Sequence, residues 1–548
     1  MTVRVPSGHT DTFCRDRLPR RTLWPEMRYD RVPGLAYPAR LNCATELLDS
    51  AVRRGAGEDT ALLFPGGAWT YRELLETANR IAHVLVDDFG VVPGNRVLLR
   101  GPNNAMMVAC WFAVLKAGGV VVCTMPLLRP REICFTADRA AVTLALTDVR
   151  LLADCEAGMC RTGSGAPREG HRVACFGGEG PDTLEARMAG KPATFRNVST
   201  AADDVALIAF TSGTTGQGKG TMHFHRDVLA ICDCFPPHIL QATPDDIFCG
   251  SPPFAFTFGL GGLVLFPMRL GATALLLEQA SPPHLLQGIR DFAATVCFTA
   301  PTAYRAMLPL LGDAGAPSLR LCVSAGETLP ASTFEAWREA TGIRIIDGIG
   351  ATEMLHIFIS ATPESMRPGA TGKPVPGYEA KVVDEDGREL PAGRIGRLAV
   401  RGPTGCRYLD DEERQRAYVQ GGWNFTGDSY LVDDDGYFRY QARTDDMIIS
   451  SGHNIAGPEV ESVLLEHPAV QECGVVGVPD PDRGQVVKAF VVLRPGTEDA
   501  PGLVRELQDH VKREIAPHKY PRQIEFVPAL PRTATGKLQR FRLREEAQ

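Results

Sequence analysis

The apolar run VALIAF at residues 205–210 leads without a break into TSGTTGQGKG at 211–220. Six apolar, β-forming residues bounded by turn formers read as a buried strand. The ten residues after it hold four glycines, four hydroxyl residues and one lysine. Glycine lets main-chain N–H groups converge on an anion, Ser and Thr add donors, and Lys219 adds positive charge. A strand ending this way is built to hold phosphate and is a poor candidate for a plain surface loop. Residues 213–219 also satisfy the Walker pattern G-x-x-x-x-G-K. In that reading Gly220 follows the lysine, the magnesium-binding hydroxyl comes one place late at Thr221, and no strand ending in Asp supplies the second Walker motif.

The rest of the chain alternates helix and strand patterns. Thr70 and Glu73 form a capping box ahead of Leu74, Ala78, Ile81 and Leu85 at helical spacing. Short apolar runs at 319–324, 343–346, 398–401 and 488–493 read as strands, and 162–170 and 495–502 as loops. This is α/β texture. A length of 548 residues predicts several compact units, or one large body and a smaller one. From Arg443 the pattern restarts as a unit of roughly a hundred residues, with a helix from Glu459, strands near Val475 and Lys488, a helix from Leu503 and a basic tail. The expected division is therefore 1–442 and 443–548.

The net charge of -7 argues against a basic footprint for nucleic acid or anionic lipid. The 15 cysteines contain no Cys-x-x-Cys pair and no zinc spacing, which predicts reduced thiols. The most apolar stretches, 106–128 and 258–277, are interrupted by Lys116 and by Pro267 and Arg269, so neither is expected to span a membrane. With no apolar core of a signal peptide near the N-terminus, the expected compartment is cytoplasmic.

Further motifs follow the phosphate loop in order: DGIGATE at 347–353, WNFTGD at 423–428, RTDD at 443–446, SGHNI at 451–455 and PRTATGK at 531–537. With the loop, they resemble the adenylate-forming superfamily of acyl-CoA synthetases, peptide-synthetase adenylation domains and luciferases. The resemblance runs from roughly Leu41 to Arg540 and implies a large α/β N-terminal body with a small mobile C-terminal α/β lid. It implies ATP and AMP contacts from Thr211, Ser212, Gly213, Thr214, Thr215, Gly216, Lys219, Gly326, Glu327, Asp347, Gly348, Ile349 and Thr352. Glu353 is the implied ligand for Mg2+, Asp428 and Arg443 the ribose contacts, Asp445 the hinge, and Lys537 the catalytic lysine. Ser451 and Gly452 are the implied contacts for coenzyme A. The chain departs from the usual pattern at Gly218, where most members carry Pro, and at Ala442, where most carry Gly.

The stretch DGIGATEMLHIFIS at 347–360 looks especially like that of benzoate-CoA and 2-aminobenzoate-CoA ligases, as do DTFCRDRLP near the N-terminus and SGHNIAGPEVE at 451–461. This implies a small aromatic acid, ATP and CoA as partners, no nucleic acid, no membrane, and an assembly that a homodimer would satisfy. The implied aryl pocket comprises Thr257, Phe258, Gly350, His356 and Ile357. Aromatic faces suit a flat ring, and a histidine can donate to a carboxylate in an apolar pocket. A core histidine satisfied by its neighbours is the competing reading of His356. The implied reaction makes an aryl-adenylate from the acid and Mg-ATP, then a CoA thioester with release of AMP. Three alternatives stand beside it: transfer to a separate carrier protein, a non-catalytic nucleotide-binding homologue, and a Walker-type NTPase that needs no acid.

Overall fold

Thr70 caps the helix Tyr71–His83 in the computed structural model as its sequence predicts. Its Oγ1 accepts the Glu73 N–H at 3.1 Å, and Glu73 Oε2 accepts the Thr70 N–H at 2.7 Å. Leu74, Ala78, Ile81 and Leu85 are all buried, Leu85 in the wide turn Val84–Asp88 that continues the helix. The structure describes residues 6–547 apart from 212–217, 444–445, 451–452, 481–482, 498, 501 and 534–537.

Three sheets build the body. The first runs Arg172–Phe176, Leu144–Asp148, Arg96–Arg100, Val120–Thr124, Val205–Phe210, Gly220–Phe224, parallel except for its last pair. Strands 96–100 and 144–148 are buried along their whole length, as apolar runs covered on both faces must be. The second sheet has nine strands, parallel from Ile345–Gly350 through Leu321–Ser324, Val296–Thr299, Ile247–Gly250 and Thr273–Leu275 to Thr60–Phe64. Its edges turn antiparallel at Ile357–Ser360 and Gly67–Thr70. The third sheet is antiparallel, with Glu379–Val383, Gly396–Arg401, Val419–Gln420, Trp423–Val432 and Phe438–Arg443. A buried ion pair at 2.8 Å, Arg407 to Asp227, ties this sheet's loops to the helix His225–Phe235. Both side chains are fully buried, so loss of either would strand the other's charge.

The C-terminal unit has its own core, in which Val460, Leu464, Val475, Val487, Leu507 and Val511 pack together. Helices Gly457–Leu464 and Leu503–Glu514 lie against the long hairpin Val470–Asp480 and Gly484–Leu493. The second hairpin strand begins four residues before the apolar run starting at Lys488, because its partner continues to pair with it as far as Gly484. The helix expected from Glu459 begins at Gly457, with Pro458 in its first turn, where a missing N–H leaves no bond unmade.

Both apolar stretches fold as internal elements. Helix Ala105–Lys116 packs on helix 71–83 and ends at a fully buried Lys116, held by both Asp49 oxygens at 2.7 Å. Residues 257–270 form consecutive helical turns, with a wide segment at Gly261–Leu265 just before Pro267. No helix among the described residues is long and apolar enough to cross a membrane. All 15 cysteines are free thiols.

Candidate functional site

The carboxyl ends of the first two sheets, the ribbon of the third and the inner face of the C-terminal unit enclose one cleft of about 2480 Å³. Thr211 and Lys219 stand at its wall and tie the ends of the phosphate loop. The Thr211 N–H donates to the Lys219 carbonyl at 2.9 Å, and the Lys219 N–H to Thr211 Oγ1 at 3.3 Å. Ser212, Gly213, Thr214, Thr215 and Gly216 lie outside the described residues. After the loop comes the strand Gly220–Phe224, antiparallel to 205–210. A Walker loop opens a helix instead, so the NTPase reading fails on topology.

Asp347, Gly348, Ile349 and Gly350 occupy the end of strand 345–350, where the second sheet turns antiparallel. A Cβ on Gly348 would lie 2.8 Å from the Ile357 side chain, and one on Gly350 2.8 Å from the His356 carbonyl oxygen. Glycine at both positions therefore lets strand 357–360 close in beneath the cleft. Asp347 accepts a 2.8 Å hydrogen bond from Ser324 Oγ, and its main-chain carbonyl accepts one from Ser360 Oγ at 2.7 Å. Burial pushes its carboxyl up to about 7, against the opposing hydrogen bonds from Ser324 and the Gly348 N–H.

Thr352 and Glu353 begin the short turn Thr352–Met354. His223 holds the Thr352 carbonyl with Nε2–H at 2.8 Å, and burial lowers this imidazole to about 4, so it is neutral. Glu353 is buried, and its Oε1 accepts a 2.6 Å hydrogen bond from the Tyr408 hydroxyl. The ring of Tyr408 in turn lies 5.8 Å from Lys219 Nζ. Tyr408 thus links the phosphate-loop lysine to the acidic residue across the cleft.

Two residues further on, Leu355 is fully buried at φ +70°, a strained conformation for a non-glycine residue. The strain sits beside His356, which it turns into an aromatic box. The imidazole centroid lies 4.6 Å from Phe266, 5.5 Å from Phe235, 5.8 Å from Phe258 and 6.4 Å from Phe298. Among the described residues neither ring nitrogen has a hydrogen-bond partner, although the side chain is only 2% exposed. A core histidine satisfied by its neighbours would not look like this. Burial lowers His356 to about 3, countered in part by the Phe258 main chain, which lies close to the ring but outside hydrogen-bond geometry, so the ring is neutral. A Cβ on Gly261 would lie 2.4 Å from His356 Cδ2, so that glycine is what admits the ring.

Thr257 and Phe258 start the helix 257–260 and line the same cleft, as does Ile357. The segment before them is clamped by Asn103, which donates to the Pro252 carbonyl at 3.0 Å and accepts the Phe254 N–H at 3.0 Å. Asp428 lies on strand 423–432, and Arg443 at the end of 438–443. Arg443 Nη1 donates to Asp428 Oδ1 at 3.2 Å and to the Thr426 carbonyl at 3.1 Å. Gly427, at φ +77°, has no Cβ to meet that guanidinium, which would otherwise stand 2.8 Å away.

Gly326 and Glu327 line the cleft after strand 321–324, and the Glu327 carboxylate is engaged at 3.2 Å by Arg532 of the C-terminal unit. Asp445, Ser451, Gly452 and Lys537 lie outside the described residues. No local pattern marks Tyr408, His223 or Ser324 as parts of the site, and Arg532, although inside the PRTATGK motif, takes no role of its own from it. Tyr408 meets it because residues 407–409 pair with strand 220–224, some 185 positions away in the chain, and His223 through the Thr352 carbonyl, 129 positions away; neither contact follows a sequence periodicity.

The chain is similar to known proteins along most of its length. Residues 48–407 match the AMP-binding enzyme family and 459–537 its C-terminal domain. The benzoate–CoA ligase of Thauera aromatica is 37% identical over 517 residues, 93% of this chain and 97% of that one. The crystal structure of the anthranilate CoA ligase AuaEII with anthranoyl-AMP superposes with a TM-score of 0.88 at 37% identity, covering 93% of this chain and 98% of that one. A benzoate CoA ligase from Burkholderia xenovorans gives a TM-score of 0.84 at 33% identity, covering 92% and 100%.

Proposed function

Because the chain belongs to the AMP-binding enzyme family, matched in both its body and its C-terminal domain, we propose that it is an ATP-dependent aryl-CoA ligase. Its substrate is benzoate, 2-aminobenzoate or a close relative. The observation that carries this reading is His356: a neutral, buried imidazole with no partner among the described residues on either nitrogen, boxed by four phenylalanines at the wall of the cleft. An apolar box with one polar group aimed inward suits an aromatic ring bearing a carboxylate.

In the first step a carboxylate oxygen of the acid attacks the α-phosphorus of ATP, and the bond to pyrophosphate breaks. One anion must approach another, so the protein's task is positioning and charge neutralisation. Lys219 and the loop opened by Thr211 take the β- and γ-phosphates. Asp347, Gly348, Ile349 and Thr352 border the adenine and α-phosphate, with Gly326 and Glu327 beside them, and Asp428 with Arg443 meets the ribose. Lys537 bridges the carboxylate and the α-phosphate. In the second step the thiol of coenzyme A attacks the adenylate carbonyl, AMP leaves, and the thiol proton passes to solvent. Domain movement between the steps turns on Asp445, at the division between 1–442 and 443–548, and brings the segment of Ser451 and Gly452 to the thiol.

Glu353 fits a divalent cation: it is a buried carboxylate whose Oε1 alone is engaged among the described residues. Among the described residues no cluster of three His, Cys, Asp or Glu side chains exists, and phosphate oxygens and water suit the remaining positions of the shell. Magnesium bound there supplies charge neutralisation on the phosphates. The direct test is pyrophosphate release dependent on an aromatic acid. Release with benzoate or 2-aminobenzoate supports the ligase, whereas release of phosphate without any acid, or no turnover with any acid, refutes it.

A further inference from the structure

We propose that Arg532 is a positioning residue: with Arg305, Glu327 and Glu472 it forms a reversible four-charge clasp that seats the C-terminal domain for adenylation. This inference rests on the two-step ligase reading. Arg532 forks between the two domains. Nη1 donates to Glu327 Oε1 of the body at 3.2 Å, and Nη2 to Glu472 Oε2 of its own domain at 2.8 Å. All three side chains are less than a third exposed. Arg305, on the body helix Pro301–Met307, completes the group, with Glu472, Arg532 and Glu327 as its charged neighbours.

Arg532 also stands at the root of the segment that carries Lys537. Its backbone pairs with that of Leu538, and the Gln539 N–H donates to the Pro531 carbonyl at 2.9 Å. Lys537 immediately precedes Leu538 in the chain. A side chain that anchors Arg532 to the body therefore anchors both ends of that segment.

The charge arrangement suits release as well as closure. Each domain contributes one arginine and one glutamate, so each half stays neutral when the domains part. Arg532 keeps Glu472, and Arg305 keeps Glu327 as a neighbour. A buried pair split by domain motion would leave bare charges at high cost, whereas here Arg532 retains its ion pair with Glu472 and Glu327 retains the positive charge of Arg305 in its surroundings. The energetic bias toward the adenylation arrangement is accordingly modest and easily reversed, as a two-step cycle requires.

The test is a double-mutant cycle on the separate half-reactions, with Arg532→Ala and Glu327→Gln. The clasp predicts that Arg532→Ala slows aryl-adenylate formation about tenfold, leaves thioester formation from supplied aryl-adenylate and CoA undiminished, and costs nothing further in the Glu327→Gln background. Arg532→Lys recovers part of the loss. Equal losses in both half-reactions, additive losses in the double variant, or no loss overturn it. Hydrogen exchange gives a reading independent of turnover. Amides of the body helix 301–307 should exchange faster in both single variants, and unchanged exchange there refutes the clasp even if the wild-type protein activates no aromatic acid. That last result would refute the ligase reading separately.

Discussion

The Tyr408 hydroxyl donates a 2.6 Å hydrogen bond to Glu353 Oε1 while its ring faces Lys219, so one tyrosine braces the acidic and the basic side of the cleft. Tyr408→Phe keeps the ring and removes the brace. It should slow pyrophosphate release about tenfold and raise the magnesium concentration needed for half-maximal rate, at a stability cost of about 1 to 2 kcal/mol. A magnesium titration and a thermal melt check this, and an unchanged titration would remove Tyr408 from the site.

His356 makes a prediction in which stability and activity part company. Two buried nitrogens without partners among the described residues are a burden on the fold, so His356→Leu should leave the melting temperature unchanged or raise it. The same change should lower kcat/KM for the aromatic acid at least tenfold, with little effect on KM for ATP. Because the imidazole is neutral down to about pH 3, no step in acid recognition between pH 5 and 8 should trace to its titration.

Gly261→Ala tests the same box from its other wall. The new methyl would meet the imidazole at 2.4 Å, and either the ring or the helix 257–270 must move. The expected result is a selective rise in KM for the aromatic acid, measured beside an unchanged KM for ATP.

Asp347 gives a pH signature. Its folded value of about 7 lies above the ordinary 3.8, so the neutral acid is the form that the fold favours. Its contribution to stability is full below pH 3.8 and is lost as pH rises through about 7. Asp347→Asn should therefore raise the melting temperature at pH 8 and not at pH 4. The side chain lines the cleft and keeps some water contact, so the gain stays below about 4 kcal/mol. Equal shifts at both pH values would contradict the assignment.

Much of this site is legible in the amino-acid sequence alone. The strand into the phosphate loop, the DGIGATE strand end and the TGD ribbon are local patterns whose glycines and acids have local reasons. Of the aromatic wall only Phe258 is legible, and whether His356 is satisfied is not, because that depends on Phe235, Phe266 and Phe298, brought from helix 225–235, helix 257–270 and strand 296–299. Tyr408 and His223 carry no local signal for the same reason, and Arg532, though inside the PRTATGK motif, shows nothing there of its partner Glu327, because each acts through a residue far along the chain. The strained backbone at Leu355 has none either, since nothing in Met-Leu-His announces a positive φ.

Lys537→Ala separates the two chemical steps. It should abolish aryl-adenylate formation and spare thioester formation from supplied aryl-adenylate and CoA. Loss of both half-reactions would remove Lys537 from its assigned role.

The most direct measurement is CoA-dependent AMP formation, with mass detection of the thioester, across benzoate, 2-aminobenzoate, 2-hydroxybenzoate, a cinnamate and a medium-chain fatty acid. The account predicts an aroyl-CoA from benzoate or 2-aminobenzoate well above the others. AMP without any thioester would move the acceptor to a carrier protein, and a preference for the fatty acid would contradict the aromatic box around His356.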